Sequence, residues 1–221
     1  MAIELHADRS RPARVDAQSL PWIASPQRGV DRRMLERSGD EVAVATSIVR
    51  YAAGSHFPEH VHELGEEFVV LRGTFCDEAG EYPAGSYVRN PPGSRHAPSS
   101  PAGCVIFVKL RQMGADESEF VRIFPAQRRW QATRAAGIER APLYANARLS
   151  VALLRLAAGA VLLPRRIRGG EEVFVLEGAV ETLEPAPRTL GAWSWQRTAT
   201  QRQPAVGSAA GALLWIKRGH L

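Results

Sequence analysis

Histidines and glutamates are concentrated in residues 54–96 at a spacing that suits a metal ion. His60 and His62 are two residues apart, Glu66 follows four residues after His62, and His96 comes thirty residues after Glu66. Side chains at i and i+2 of a strand share a face, so the first two imidazoles can lie side by side. Three imidazoles and one carboxylate suit Zn, Fe, Mn, Ni or Co, and these ligand types alone do not choose among them.

Three strands must position these side chains. Leu64-Gly65 is a turn signal, and the apolar run Phe68-Val69-Val70-Leu71 behind it predicts a strand that begins near Glu66. Pro91-Pro92-Gly93 is a second turn signal just before His96. A lone histidine is more often a surface or core residue than a ligand, whereas this combination of types and spacing is rarely accidental. The predicted metal ligands are His60, His62, Glu66 and His96.

Three nearby residues receive other interpretations. His56 has no same-face partner among the histidines, so we place it beside the ligands or on the surface. Glu67 is expected to face away from Glu66. Lys109 lies in a predicted strand, where it is either a cation near the metal or a surface lysine whose stem covers apolar surface.

This part of the chain resembles a cupin, a family with the motifs Gly-x5-His-x-His-x3,4-Glu-x6-Gly and Gly-x5-Pro-x-Gly-x2-His-x3-Asn. The matching residues are Gly54, His60, His62, Glu66, Gly73, Gly85, Pro91, Gly93 and His96. Only Ser100 departs, where the family has an Asn that is not a ligand. The segments 65–73, 77–85 and 89–98 are similar, more narrowly, to ChrR-like cupins, and the resemblance spans roughly residues 20–112.

An internal repeat extends this interpretation to the second half. Residues 54–73 align with residues 159–178 at a constant offset of 105. We therefore predict an all-β fold with two tandem cupin barrels, each a jelly roll or double-stranded β-helix, and little helix. Strands are predicted over residues 42–50, 68–71, 105–111, 149–156, 173–176 and 213–217.

The predicted domains are a partly disordered, polar N-terminal extension, a metal-binding ChrR-like cupin, a connector and a degenerate second cupin without metal ligands. Their ranges are 1–40, 41–113, 114–140 and 141–221, respectively.

The second copy has lost the predicted ligands. Its counterparts of the three histidines fall on Arg165, on Ile167 and near Arg202. A guanidinium keeps its proton and has no lone pair for a metal. Glu171 remains and is expected to pair with an arginine, so we predict one metal per chain, in the first barrel. The second barrel either packs on the first and covers sheet edges, or uses Arg165 and Arg202 to bind an anionic ligand.

Composition excludes several partners. The 221 residues include 28 Lys and Arg against 23 Asp and Glu. This excess is small and scattered, so we expect no nucleic-acid binding. No run of about 18 apolar residues occurs and the first residues are too polar for a signal peptide, so we expect a cytoplasmic location and no membrane association. Cys76 and Cys104 are too few for a disulfide framework.

The resemblance implies an accessible metal inside a barrel. We therefore expect one divalent ion per chain, Zn or Fe, with Ni or Mn as alternatives, and a small-molecule substrate or ligand. With iron, the expected chemistry is oxidative cleavage of a small enol, diketone or phenolic compound, as in a dioxygenase. With zinc, it is activation of a carbonyl or water.

Two non-catalytic alternatives stay open. One is a metal- or ligand-sensing regulator related to the cupin module of ChrR anti-sigma factors, and the other is a purely structural metal. In those anti-sigma factors a helical zinc domain binds the sigma factor, but the His-x3-Cys-x2-Cys motif does not occur in this sequence. We therefore do not expect a sigma factor as partner, and a homodimer is left open.

Overall fold

The computed structural model of the chain describes residues 2–199 and 202–221, and almost all of their regular structure is β. Up to residue 123 the strands are β1 (Ile3–Leu5), β2 (Ala13–Asp16), β3 (Ile23–Ala24), β4 (Val30–Gly39), β5 (Ala43–Tyr51), β6 (Ser55–His56), β7 (His60–His62), β8 (Glu66–Asp77), β9 (Gly80–Pro83), β10 (Tyr87–Asn90), β11 (Ser94–His96), β12 (Ser99–Ser100), β13 (Cys104–Leu110) and β14 (Val121–Ile123).

The second half continues in the same way. Its strands are β15 (Gln131–Ala132), β16 (Ile138–Ala145), β17 (Ser150–Leu156), β18 (Ala160–Leu162), β19 (Arg165–Arg166), β20 (Glu171–Thr182), β21 (Thr189–Gly191), β22 (Ser194–Thr198), β23 (Arg202–Gln203), β24 (Val206–Ser208) and β25 (Ala212–Arg218). Two 3-10 turns, Ala17–Ser19 and Pro125–Gln127, complete the regular structure of the described residues. None of their helices is long and apolar enough to cross a membrane.

The chain divides into two compact units. The first consists of the residues up to Ala7 together with Leu20–Gln127, and the second of Asp8–Ser19 together with Arg128–Leu221. These bounds differ from the ranges inferred from the sequence. β4 lies within the range assigned to the extension, and β2 belongs to the second unit because it pairs with β22.

In the first unit, the main sheet has the strand order β1-β4-β5-β13-β8-β10-β14, and a separate two-stranded sheet is formed by β7 and β11. Alternate side chains of β8 and β13 point into a buried core. Its residues are Val30, Tyr51, Phe68, Val70, Phe75, Tyr82, Val88, Cys104, Ile106 and Val108. This core supports the small sheet that carries the histidines.

The second unit repeats this topology. Its main sheet has the order β15-β16-β17-β25-β20-β22-β2, and β19 pairs with β23 in a separate two-stranded sheet. The series β16-β17-β25-β20-β22 corresponds to β4-β5-β13-β8-β10 of the first unit. The predicted all-β fold with two repeats is therefore confirmed, and each predicted strand overlaps an observed one.

Candidate metal centre

The small sheet of β7 and β11 carries the three histidines. Its register sets His60 opposite His96. Alternation along β7 leaves Val61 exposed and His62 buried. The ring centroids lie 4.8 Å apart for His60 and His62, 5.0 Å for His60 and His96, and 4.6 Å for His62 and His96. The structure thus brings the three imidazoles together.

Glu66, at the start of β8, adds a carboxylate to this cluster. Its Oε2 lies 3.5 Å from Nε2 of His62 and 3.5 Å from Nε2 of His96. Both nitrogens are buried and have no hydrogen-bond partner. Two ligand atoms about 2.1 Å from one metal ion, at an angle of about 110°, are about 3.4 Å apart. The orphaned nitrogens and their distance from the carboxylate therefore fit a shared metal ion.

Within residues 2–199 and 202–221, one group of three or more potential metal ligands has the spacing of a metal site. It consists of His60, His62 and His96. One ring nitrogen from each lies within 4.8 Å of the others.

Hydrogen bonds hold two of the imidazoles in place. Nδ1 of His60 lies 3.0 Å from the carbonyl oxygen of Pro58, and Nδ1 of His96 lies 3.2 Å from Oδ2 of Asp77. A histidine that donates from Nδ1 keeps the lone pair of Nε2 for a metal.

Asn90 holds the carboxylate in a similar way. The register of β10 and β8 sets Asn90 opposite Glu66, and its Nδ2 donates to Oε2 of Glu66 at 2.9 Å. Arg122 in turn donates to Oδ1 of Asn90 at 2.8 Å. This chain fixes the amide so that its NH2 group faces the carboxylate.

The pKa values of His62 and His96 shift in opposite directions. Burial lowers the pKa of His62, against an opposing effect of Glu66, and favours the neutral ring. Burial also acts to lower the pKa of His96, but its hydrogen bond with Asp77 and the charge of Glu66 outweigh it and raise that pKa. Burial acts to raise the pKa of Asp77, but hydrogen bonds from His96 and its other donors lower it, so this carboxylate is ionised at neutral pH.

A cavity of about 390 Å³ opens onto the cluster. Its apolar lining includes Val30, Val49, Phe57, Ile106, Val108 and Leu110. Tyr51 also lines it, and burial followed by the charge of Glu66 raises the pKa of this phenol, which therefore keeps its proton. The space is large enough for a small organic molecule beside the histidines.

Arg37 is a buried cation that lines this cavity. It is 3% exposed, and its hydrogen bond runs from Nη2 to the carbonyl oxygen of Asp40. Its Nε is buried and has no hydrogen-bond partner. The carboxylates of Glu41 and Asp40 act on it through their charge. Burial and the charge of Arg32 lower its pKa. Arg32, by contrast, pairs with Glu41 at 2.9 Å.

The second unit has different residues at the corresponding positions. The register of β19 and β23 sets Arg165 opposite Gln203, just as His60 lies opposite His96. Gln203 is therefore the counterpart of His96, and it is the neighbour of Arg202, near which the sequence alignment places this position. A sequence alignment alone does not locate the insertion that shifts it.

Glu171, the counterpart of Glu66, is buried between two arginines. Its Oε1 lies 2.6 Å from Nη2 of Arg165, and its Oε2 lies 2.7 Å from Nε of Arg218. The predicted ion pair is therefore confirmed. Arg218 lies opposite Glu171 in the strand register, in the place that Leu110 has opposite Glu66.

The other singled-out residues lie away from the cluster. His56 is exposed, and Glu67 is buried on the opposite face of β8, where its Oε2 lies 2.7 Å from Nη1 of Arg89. Lys109 lies opposite Glu67 in the register and is 2% exposed, with Nζ 2.8 Å from Oγ1 of Thr46. It is thus neither a cation near the cluster nor a surface lysine. The cavity is lined by the other face of β13.

Sequence reasoning did not identify Asp77, Asn90 or Arg37 as residues of this site. Asp77 and Asn90 act through strand register, which the sequence does not fix in advance. The sequence signal for Asn90 is its place just before the turn that leads to His96.

Two all-β barrels with a histidine cluster in one of them define a cupin with two barrels. The family model for the ChrR cupin-like domain matches residues 10–114 and again residues 118–221, so the chain belongs to this family. No curated protein matches the sequence.

Solved structures share the fold at low sequence identity. A candidate dioxygenase from Nostoc punctiforme has a TM-score of 0.77 and 14% identity, with 96% of this chain and 84% of that chain covered. The protein Ylba from E. coli has a TM-score of 0.73 and 14% identity, with coverages of 100% and 94%. A salicylate 1,2-dioxygenase from Pseudaminobacter salicylatoxidans has a TM-score of 0.64 and 12% identity, with coverages of 96% and 85%.

Proposed function

We propose that the first unit is a metal-dependent enzyme of dioxygenase type that acts on a small acidic molecule. The observation that carries the proposal is a pair of buried, unpartnered imidazole nitrogens, on His62 and His96, beside Glu66 at a cavity of about 390 Å³. A purely structural metal does not need a cavity of this size next to its ligands. The fold shared with a candidate dioxygenase and a salicylate 1,2-dioxygenase supports the reaction class.

His60, His62, Glu66 and His96 would hold one divalent ion. When bound, iron would supply activation of dioxygen, and zinc would supply Lewis-acid activation of a carbonyl or water. The residues of the chain have their own tasks. Asp77 keeps Nδ1 of His96 protonated, and Asn90 orients Glu66.

The substrate is inferred from the cavity. Its apolar wall suits a small aromatic or aliphatic body and excludes water. Arg37 would bind a carboxylate of the substrate, since the Nε of this buried guanidinium has no hydrogen-bond partner. Tyr51 keeps its proton and can donate a hydrogen bond to a substrate oxygen.

The test begins with metal content. The chain purified without chelator should contain about one metal per chain, and His60→Ala and Glu66→Ala should each lose it while remaining folded. Oxygen uptake should then be measured with small enols, diketones and phenolic carboxylates. No metal in the wild-type chain would overturn the proposal. Ligand binding without turnover would favour the sensing alternative.

Arg37→Gln tests the inferred substrate class. We expect the KM for an acidic substrate to rise roughly tenfold or more, because a buried ion pair is lost, while a neutral analogue is affected little. Arg155→Gln is the matched control, since Arg155 is exposed and pairs with Glu139 in the second unit. Equal effects on acidic and neutral substrates would contradict the assignment of Arg37.

A further inference from the structure

Five arginines of the second unit line one open depression of about 430 Å³. They are Arg148, Arg165, Arg166, Arg168 and Arg218. Among the described residues that line it, none is an aspartate or a glutamate. Five cations around one depression repel each other, and an anion bound between them would relieve this repulsion.

One carboxylate lies beneath this arginine cluster. Glu171 pairs with Arg165 and with Arg218, at 2.6 Å and 2.7 Å. This one carboxylate is shared by Arg165 and Arg218, and Arg166 and Arg168 add two further positive charges at the depression. Arg166 and Arg168 are exposed, so their charge faces the solvent from which a ligand would come.

Arg165 has donors that its ion pair does not use. Its Nη2 is bound to Glu171, but its Nε and Nη1 are buried and have no hydrogen-bond partner. Buried donors without partners are uncommon in folded proteins. Their presence on the residue that lines the depression marks a position where an acceptor is missing.

The interior of the second barrel is too small to hold a sizeable ligand that could act as this acceptor. The cavity on the inner side of Arg165 measures about 30 Å³, compared with about 390 Å³ in the first unit. That volume holds about one or two water molecules. A ligand larger than water therefore fits beside Arg165 only at the open depression, which Arg165 also lines.

We propose that this depression is a binding site for a small anion with two or more negative charges, of phosphate or carboxylate chemistry. Arg165 and Arg218 lie next to the bound anion, and Arg166 and Arg168 add attraction at the rim. The guanidinium fork matches both kinds of oxyanion, and the excess of cations favours an anion with more than one negative charge. This proposal does not depend on the chemistry of the first unit.

The experiment is titration calorimetry of the full chain with inorganic phosphate and with citrate, at constant ionic strength. Both anions should bind the wild-type chain, and the tighter of the two identifies phosphate or carboxylate as the preferred chemistry. Arg166→Gln combined with Arg168→Gln should weaken binding about tenfold or more. Both residues are exposed, so the fold should be unaffected. Arg155→Gln, which removes an exposed arginine that does not line the depression, should leave binding unchanged.

A further variant separates a ligand site from a structural ion-pair cluster. Glu171→Gln removes the carboxylate that competes with an anion for Arg165 and Arg218, so anion binding should become at least about fivefold tighter. Added sodium chloride should weaken binding in every variant. The proposal is overturned if neither anion binds, or if the paired rim variant and Arg155→Gln have the same affinity as the wild type.

Discussion

A single side chain, Asp77, links two properties of the candidate metal centre. Its carboxylate lies 3.2 Å from Nδ1 of His96, which fixes the ring and leaves Nε2 for a metal. The same contact raises the pKa of His96, so a proton competes with the metal for that ring. Orientation and proton competition therefore act in opposite directions on metal affinity.

Replacing this carboxylate should weaken metal binding. For Asp77→Asn we expect an increase in the metal Kd of about 10- to 100-fold at pH 8, because His96 loses the partner that orients it. The measurement is a competition titration with a chromophoric chelator. Glu81→Gln is the control, since Glu81 is an exposed acid on the neighbouring strand β9. Equal affinity of Asp77→Asn and the control would contradict this role.

The size of this loss should depend on pH. Asp77 raises the pKa of His96, so the wild-type ring is protonated at a higher pH than an ordinary histidine and loses metal affinity earlier as the pH falls. Asp77→Asn lowers that pKa and reduces proton competition. The ratio of mutant to wild-type Kd should therefore be larger at pH 8 than at pH 6. A ratio that increases toward pH 6 would show that orientation and pKa are not linked in this way.

At the scale of elements, Gly73 and Gly178 show what the repeat requires. They occupy corresponding positions in β8 and β20, each with a positive φ of about 70°. A Cβ on Gly73 would overlap the carbonyl oxygen of Gly103, the residue just before β13. A Cβ on Gly178 would overlap that of Gly211, the residue just before β25. Both lie next to a shift in strand register, so the irregularity itself is repeated.

Gly73→Ala should therefore cost more stability than an ordinary positive-φ substitution. We expect a loss of about 3 kcal/mol or more in the free energy of unfolding, from strain and steric overlap together. Gly54→Ala is the matched control, because Gly54 has φ of 74° but nothing within 4 Å of an added Cβ. It should cost about 1 kcal/mol. Urea unfolding gives both values, and equal losses would contradict the steric argument.

The sequence predicts those strands that contain a short continuous run of apolar residues. The runs at 68–71 and 173–176 lie inside β8 and β20, although both strands extend further because polar residues also pair across the sheet. β4 is not predicted from the sequence, because charged residues such as Asp31, Arg32 and Arg33 interrupt the alternation of apolar and polar side chains. It is stabilised as a strand by pairing with β5. β2 depends on pairing with β22, which lies far away in sequence.

The candidate site, too, can be predicted from the sequence only in part. His60, His62, Glu66 and His96 follow a spacing that can be seen in the sequence, and the structure brings all four together. Their supporting contacts come from strand register and turn geometry, which no local pattern fixes. The sequence therefore indicates which side chains can bind a metal, but not which residues orient them.

At the scale of the whole molecule, the two units are copies of one topology that differ at the residues around one carboxylate. In each unit the glutamate begins the long central strand and lies opposite the last residue of another strand. The first unit surrounds it with imidazoles and the second with arginines. At four corresponding positions the first unit has His60, His62, His96 and Leu110, and the second has Arg165, Ile167, Gln203 and Arg218, in that order.

If ligand identity alone separates the two units, the second can be converted into a metal site. The combined variant Arg165→His, Ile167→His, Gln203→His and Arg218→Leu should raise the metal content of the folded chain from about one to about two per chain, measured by elemental analysis. The new site should be weaker than the first by about 10- to 100-fold, because its orienting residues are missing. Thr182 stands where Asp77 does, and Thr198 lies opposite Glu171 where Asn90 lies opposite Glu66.

Thr182→Asp, added to that variant, should recover part of the affinity by holding the new histidine at position 203. Arg165→His alone is the control, and it should bind no second metal because one imidazole beside one carboxylate is an incomplete ligand set. A folded four-residue variant that still binds one metal would contradict the argument. The reason would then lie in the barrel interior, where the second unit leaves about 30 Å³ and the first about 390 Å³.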